Sequence, residues 1–144
     1  MNFEILTSSN FDAEAKRLAK RHRSFANDLE TFQNELLKNP YQGAELTPGI
    51  RKTRMTIASK GRGSSGGARV ITLTFTISEE TGSIILLLLY DKADASSVKV
   101  SVIKKIAKEI GFDLDALQKA GQLKPVAIPE TSVEKVKEDK KRIT

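Results

Sequence analysis

Residues 69–90 read Arg-Val-Ile-Thr-Leu-Thr-Phe-Thr-Ile-Ser-Glu-Glu-Thr-Gly-Ser-Ile-Ile-Leu-Leu-Leu-Leu-Tyr, and this stretch decides the fold. Positions 69–77 are rich in β-branched and aromatic residues, which predicts a strand. Glu79 to Gly82 predicts a turn. Ile84 to Tyr90 is apolar throughout, the pattern of a central strand covered on both faces. Working outward toward the N-terminus, residues 59–67 (Ser-Lys-Gly-Arg-Gly-Ser-Ser-Gly-Gly) predict a flexible glycine-rich loop. Before that loop the period is again two: Met55 and Ile57 share one face of a strand, and Lys52, Arg54 and Thr56 share the other. Residues 39–50 read as a loop, with Asn39-Pro40, Gly43 and Pro48-Gly49 as breakers.

Further upstream the period becomes helical. Phe11, Ala15, Leu18 and His22 form one apolar stripe, with Lys16, Arg17, Lys20 and Arg21 on the other face. Ser9 and Asp12 form a capping-box-like start. Ser24 reads as a second N-cap, followed by Phe25, Leu29, Phe32 and Leu36, and Pro40 stops that helix. Phe3-Glu4-Ile5-Leu6 is compatible with a short strand before the first helix. Downstream, Ser101 to Ile110 predicts a helix with Val102, Ile106 and Ile110 on one face and Gly111 as C-cap. Asp113 to Ala120 predicts one more short helix. The expected fold is α+β: an N-terminal helical hairpin packed on a small antiparallel meander, with a C-terminal helix. The expected domain covers residues 1–111. Residues 112–144 form a C-terminal extension, a short helix and then a tail whose last 14 positions carry five Lys or Arg and three Asp or Glu.

Composition narrows the function classes. The chain has 144 residues, 39% hydrophobic and 29% charged, which is globular rather than disordered and long enough to bury a core. It has no Cys, so there is no disulfide framework and no thiolate chemistry. The first residues lack the pattern of a signal peptide, and the longest apolar run is far shorter than the ~20 residues that cross a bilayer. These features predict a cytoplasmic protein with no membrane partner. The net charge of +6 and pI of about 9.6 favour a polyanionic partner.

The charge is not evenly spread. Between Glu45 and Glu79 lie 33 positions without an acid, and they contain Arg51, Lys52, Arg54, Lys60, Arg62 and Arg69. Mixed surfaces intersperse both signs, and uncompensated cations repel one another unless an anion sits among them. The pattern predicts an anion-binding groove on the sheet face opposite the helical hairpin. Arg69 shares strand parity with Ile71, Leu73, Phe75 and Ile77, which points it toward an apolar face. It is then either at the mouth of the strand or reset by a bulge after Gly66-Gly67.

Other chemistries are disfavoured. Gly61, Gly63 and Gly66 match GxGxxG, but a strand follows where a dinucleotide site needs a helix. No GK[ST] ending makes a P-loop. His22 is the only histidine and falls at apolar helical spacing, so it reads as a packing residue. One His and no Cys leave no ordinary zinc site, and no cofactor or metal is expected. Cleavage of RNA without these would need a base for the 2′-hydroxyl, cations for the phosphorane and an acid for the 5′-oxygen. Lysine can serve as the base and arginines as the phosphorane cations. Tyr90 and Lys92, just past the apolar strand, are within reach for the remaining roles. Tyr90 reads equally well as a strand-end residue with a hydrogen-bonded hydroxyl.

Taken together, Asn39-Pro, Gly49-Ile-Arg-Lys-Thr-Arg, Lys60-Gly-Arg-Gly, Gly66-Gly-Ala-Arg-Val-Ile and Leu89-Tyr-Asp-Lys resemble the RelE/ParE superfamily of bacterial toxins, most closely its HigB-like RelE branch. The resemblance spans about residues 11–110. It implies the toxin of a type II toxin–antitoxin system, held inactive by a cognate antitoxin. Members of the RelE branch are ribosome-dependent mRNA endonucleases that inhibit translation and use no metal. Matched by position, Lys52 and Arg54 are the paired basic residues of the first meander strand, and Arg69 the phosphate-stabilising arginine. Lys92 lies near a late basic position, and Tyr90 stands in for the branch's C-terminal tyrosine, which residues 93–111 lack. These five are the expected catalytic residues, with Arg51, Lys60 and Arg62 as RNA-binding residues around them. The alternatives are a non-catalytic, ParE-like gyrase inhibitor on the same fold, or a basic protein that binds RNA or the ribosome.

Overall fold

The computed structural model describes residues 2–76 and 78–113. The elements run β1 (Asn2–Thr7), α1 (Ser9–Arg21), α2 (Phe25–Lys38), β2 (Ala44–Thr47), β3 (Ile50–Met55), β4 (Ala68–Thr76), β5 (Thr81–Asp91) and α3 (Val100–Glu109). Two short 3-10 turns, Ala58–Lys60 and Ser64–Gly66, fold the segment between β3 and β4. The fold is α+β, but two features of the expected arrangement are corrected. A strand, not the helical hairpin, comes first. The sheet is mixed: its order is β1-β5-β4-β3-β2, with β1 parallel to β5 and the other pairs antiparallel. The segment read as a loop over 39–50 also holds the short edge strand β2. The helix expected over 113–120 and the tail beyond lie outside the described residues.

The hydrophobic pattern sorts into two cores, one on each side of the sheet. Phe11, Ala15 and Leu18 of α1 and Phe25, Leu29, Phe32 and Leu36 of α2 pack on Ile5, Met55, Val70, Ile84 and Leu86. On the opposite face Ile103, Ile106 and Ala107 of α3, with Phe112, pack on Ile50, Ile71, Leu73, Phe75, Ile85 and Leu87. This is why residues 84–90 carry no polar alternation: β5 is flanked by β1 and β4 and covered by helices on both sides. The buried face of α3 is rotated from the expected one, because Ile103 packs inward and Val102 is 43% exposed.

The helix ends follow local chemistry. Ser8 is the N-cap of α1: its Oγ accepts from the Phe11 N–H at 3.0 Å. Ser24 precedes α2, but its hydroxyl donates to Asp28 Oδ2 at 2.6 Å instead of capping a backbone N–H. Gly111 closes α3 at φ +100°, a left-handed conformation that glycine adopts without strain.

One irregularity sets the functional face. Ile71 pairs with Leu88 and Thr72 with Leu86, so Leu87 is an extra residue in β5. A bulge of this kind shifts side-chain parity along its strand. Ile84 and Leu86 face α1 and α2, yet Tyr90 faces α3. The bulge is held from outside the strand pair: Ser8 donates its N–H to Leu86 O at 3.1 Å and its Oγ–H to Leu87 O at 2.7 Å. One serine therefore starts α1 and satisfies the carbonyls around the bulge.

Candidate functional site

Strand register brings the cations together. Arg54, Arg69 and Tyr90 are direct cross-strand neighbours on β3, β4 and β5, and Lys52 sits opposite Ile71 one step along. All four residues lie on the sheet face that carries α3 and is turned away from the helical hairpin. The helix covers the apolar part of that face and leaves the end at Lys52 and Arg54 open. A cleft of about 520 Å³ forms there, lined by Gln42, Gly43, Ala44, Lys52, Thr53, Arg54, Ser64, Arg69, Lys92 and Ser96. Lys52, Arg54, Arg69 and Lys92 thus share one cleft whose lining, among the described residues, contains no acid.

The charge in the cleft is unspent. Among the described residues, none of Lys52, Arg54 and Lys92 forms an ion pair. Like charges directly opposite across two strands are destabilising, so the Arg54–Arg69 pair works against the fold. Ion pairs elsewhere in this chain compensate such charge, and here they do not.

Arg69 is 6% exposed and lies on the α3 face, as its strand parity predicts, at the mouth of β4. Its Nη1 donates to Ser64 O and Ala68 O, each at 3.1 Å, and its Nη2 to Ser65 O at 2.9 Å. The guanidinium therefore holds the glycine-rich loop while lining the cleft. With five N–H donors and three bonds made, it keeps donor capacity for an anion. Gly67 adds a second anchor, because a Cβ there would run into the Met55 carbonyl. The 3-10 turns, the arginine and this close approach order the segment that the sequence pattern marks as flexible.

The remaining expected residues lie elsewhere. Tyr90 is buried beside Arg69 and is not among the residues lining the cleft. Burial pushes its phenol above the ordinary value, and the nearby Arg69 charge offsets part of that. Its hydroxyl has no hydrogen-bond partner among the described residues. Arg51 points to the opposite face, where it pairs with Glu45 at 3.3 Å and lies over the Tyr41 ring at 5.2 Å. Arg62 is exposed on the loop and folds its stem across Gly66. Lys60 turns away from the cleft, and its Nζ donates to Asp91 Oδ1 at 2.6 Å.

Asp91 is the group that the sequence pattern did not mark. It is 1% exposed and receives four hydrogen bonds. Lys60 Nζ and the Ala93 N–H, at 2.9 Å, reach Oδ1; His22 Nε2, at 2.7 Å, and Arg21 Nη1, at 3.1 Å, reach Oδ2. Burial alone would raise this carboxyl. The hydrogen bonds from Lys60, Ala93, His22 and Arg21 outweigh it and hold the group well below the usual carboxylate range. Next to it, Asp94 is also lowered, by hydrogen bonds from Arg21 and Arg17. Asp91 thereby ties the C-terminal end of α1, the end of β5 and the turn at Lys60 into one unit. Ser24 and Asp28 brace the same turn, with Asp28 Oδ2 accepting from Ala58 N–H at 3.0 Å and Ser24 Oγ from Ser59 N–H at 2.8 Å. His22 is thus a partner of this hub.

Among the described residues no group of three or more His, Asp or Glu could hold a metal ion, and no helix is long and apolar enough to cross a membrane. No protein-family model matches the chain.

Proposed function

We propose that this chain is the toxin of a type II toxin–antitoxin system, with a RelE-like fold, and that it cleaves mRNA on the ribosome without a metal. The observation that carries the reading is the convergence of Lys52, Arg54, Arg69 and Lys92 in one acid-free cleft. A charge arrangement that costs stability and has no counter-ion among the described residues suits a phosphodiester. In the proposed reaction the 2′-oxygen attacks the adjacent phosphorus, and the 5′-oxygen leaves. Lys52 takes the 2′-proton. Arg54 and Arg69 hold the phosphorane oxygens, which gain charge in the transition state. Lys92, also in the lining, protonates the leaving oxygen, and Tyr90 stands beside Arg69 as its cross-strand neighbour. Lys60 acts at a distance, fixing the loop through Asp91, while Arg51 and Arg62 stay outside the cleft and have no part in the proposed step. The ribosome and mRNA are the proposed partners in the cytoplasm, and a cognate antitoxin keeps the chain inactive.

A second reading follows from a specific observation. The Tyr90 hydroxyl is buried and Arg69 is partly engaged by loop carbonyls. A cleft so arranged fits a protein that binds RNA, or a ParE-like inhibitor of gyrase, without cutting. Primer extension on a translated mRNA separates the two. New 5′ ends in the presence of the chain support cleavage, and binding to ribosomes without new ends supports the second reading.

A further inference from the structure

We infer that the turn Ser64–Gly66 is a resident competitor for the phosphate site: its carbonyls occupy the Arg69 guanidinium until a phosphodiester displaces them, so that nucleic-acid binding frees the glycine-rich loop; the inference rests on the nucleic-acid reading above. The two terminal nitrogens of Arg69 bond two successive carbonyls of the turn, Nη1 to Ser64 O at 3.1 Å and Nη2 to Ser65 O at 2.9 Å. An arginine fork takes two oxygens of a phosphate in the same way. Nη1 also donates to Ala68 O, so both of its hydrogens are used. The turn thus takes the donors that a doubly bonded phosphate would use, and Ser64 itself is part of the cleft lining. The exchange is favoured because the acceptors differ in charge. Hydrogen bonds to an ionised oxygen are roughly twice as strong as those to a neutral carbonyl. A phosphodiester also relieves the repulsion between the cross-strand neighbours Arg54 and Arg69, which a carbonyl leaves in place.

The turn is lightly held. Among the described residues, Arg69 is the one side chain outside residues 62–67 that hydrogen-bonds it. Its other bonds are internal: Ser65 Oγ donates to Arg62 O at 3.3 Å, and the Gly67 N–H donates to Ser64 O at 3.4 Å. Residues 61–65 are exposed, so carbonyls that let go of Arg69 pass to water and are not left buried and unpaired. Gly61 at φ +69° and Gly63 at φ +62° precede the turn in open space, where even an added Cβ would meet nothing. The other end stays put, because Gly67 lies against the Met55 carbonyl. The loop can therefore move while β4 and Arg69 keep their places. Engagement of Arg69 by the loop carbonyls is the resting state of a site that nucleic acid completes.

The test uses hexathymidylate, a DNA oligomer that has the phosphodiesters but lacks the 2′-hydroxyl, so the proposed reaction cannot cut it. The chain has no Cys, so Ser65→Cys supplies a single thiol for a nitroxide label and keeps the carbonyl that Arg69 holds. Electron paramagnetic resonance of the full chain at low salt then reads the motion of the turn. Saturating hexathymidylate should speed that motion about threefold, within the nanosecond range of loop movement. In Arg69→Lys, which keeps the charge but not the fork, the label should move freely before the oligomer is added. The coupling is reciprocal. Two glycines inserted between Gly63 and Ser64 loosen the turn and should tighten binding of end-labelled hexathymidylate about threefold by fluorescence anisotropy. Label motion that slows or stays unchanged at saturation overturns the inference. So does an insertion chain whose melt matches wild type and which binds no tighter. Either result leaves the nucleic-acid reading standing, because the oligomer is bound in both. A wild type that does not bind hexathymidylate takes down the nucleic-acid reading and this inference with it.

Discussion

Replacing Asp91 with Asn removes one charge from the most heavily hydrogen-bonded buried group in the described fold and changes almost nothing in shape. Asn can keep one oxygen for Lys60 and the Ala93 N–H, but its NH2 then faces His22 and Arg21. Arg21 is 39% exposed and has Asp94 as a second partner at 2.7 Å, so it adjusts at little cost. His22 can accept from the amide through its neutral tautomer. The loss that remains is the charge opposite Lys60, whose side chain is 13% exposed. Removing one partner of a fully buried ion pair costs about 3–5 kcal/mol. The residual solvent access at Lys60 reduces this to about 2–3 kcal/mol, or a fall in Tm of roughly 10–15 °C for a domain of this size. Urea denaturation followed by circular dichroism measures it. The pH dependence carries its own sign. The folded-state pKa of Asp91 is depressed, so its stabilisation is fully present above the unfolded value of about 3.9 and is lost as pH falls from there toward the folded value. Wild type and Asp91→Asn should therefore differ fully at pH 7 and converge on acidification below about pH 4. A difference under about 0.5 kcal/mol at pH 7, or one that stays flat down to pH 2.5, would refute the assignment of Asp91 as a charged hub.

Further outcomes follow from single contacts. Ser8→Ala removes both the cap of α1 and the bond to the Leu87 carbonyl, and should cost about 2–3 kcal/mol in urea titration; a loss below about 0.5 kcal/mol would mean that water replaces both bonds. Gly67→Ala should prevent close pairing of β3 and β4 and lower Tm sharply, whereas Gly61→Ala, at φ +69° in open space, should cost only about 1 kcal/mol; equal melts for the two would contradict the packing argument. Arg69→Ala should speed amide exchange across residues 61–66 as well as abolish cleavage, and unchanged exchange would deny it the loop-holding role. Lys52→Ala should leave the melting temperature within about 2 °C of wild type and reduce the salt slope of RNA binding by about one; an unchanged slope would place Lys52 outside the phosphate path.

The strands β3, β4 and β5 were legible because their period-two or unbroken apolar patterns are local. Lys52 and Arg54 could be placed together, and opposite the helical hairpin, from strand parity alone. The mixed sheet was not legible, because β1 pairs with a strand some eighty residues away and nothing in Phe3-Glu4-Ile5-Leu6 specifies a parallel neighbour. The edge strand β2 spans only Ala44–Thr47 and sits between turn residues, which hide it. The bulge at Leu87 falls inside four consecutive leucines, where a one-residue shift changes no residue type and so leaves no trace in the pattern. Ser8, which holds it, carried no mark either, because the pattern set the start of α1 at Ser9 and Asp12, one residue past the observed cap. Lys60 looked like one more cation of the acid-free stretch, because its partner Asp91 lies 31 residues on, beyond that stretch. The face of α3 was ambiguous for a simpler reason: Val102 and Ile103 both fit the helical period with Ile106.

The central claim is tested most directly by primer extension on an mRNA incubated with the purified chain, with and without translating ribosomes. The account predicts new 5′ ends in register with codons in the translating sample alone, and their loss in Lys52→Ala and Arg54→Ala chains whose melts match wild type. A folded chain that yields no new ends in either sample would contradict it.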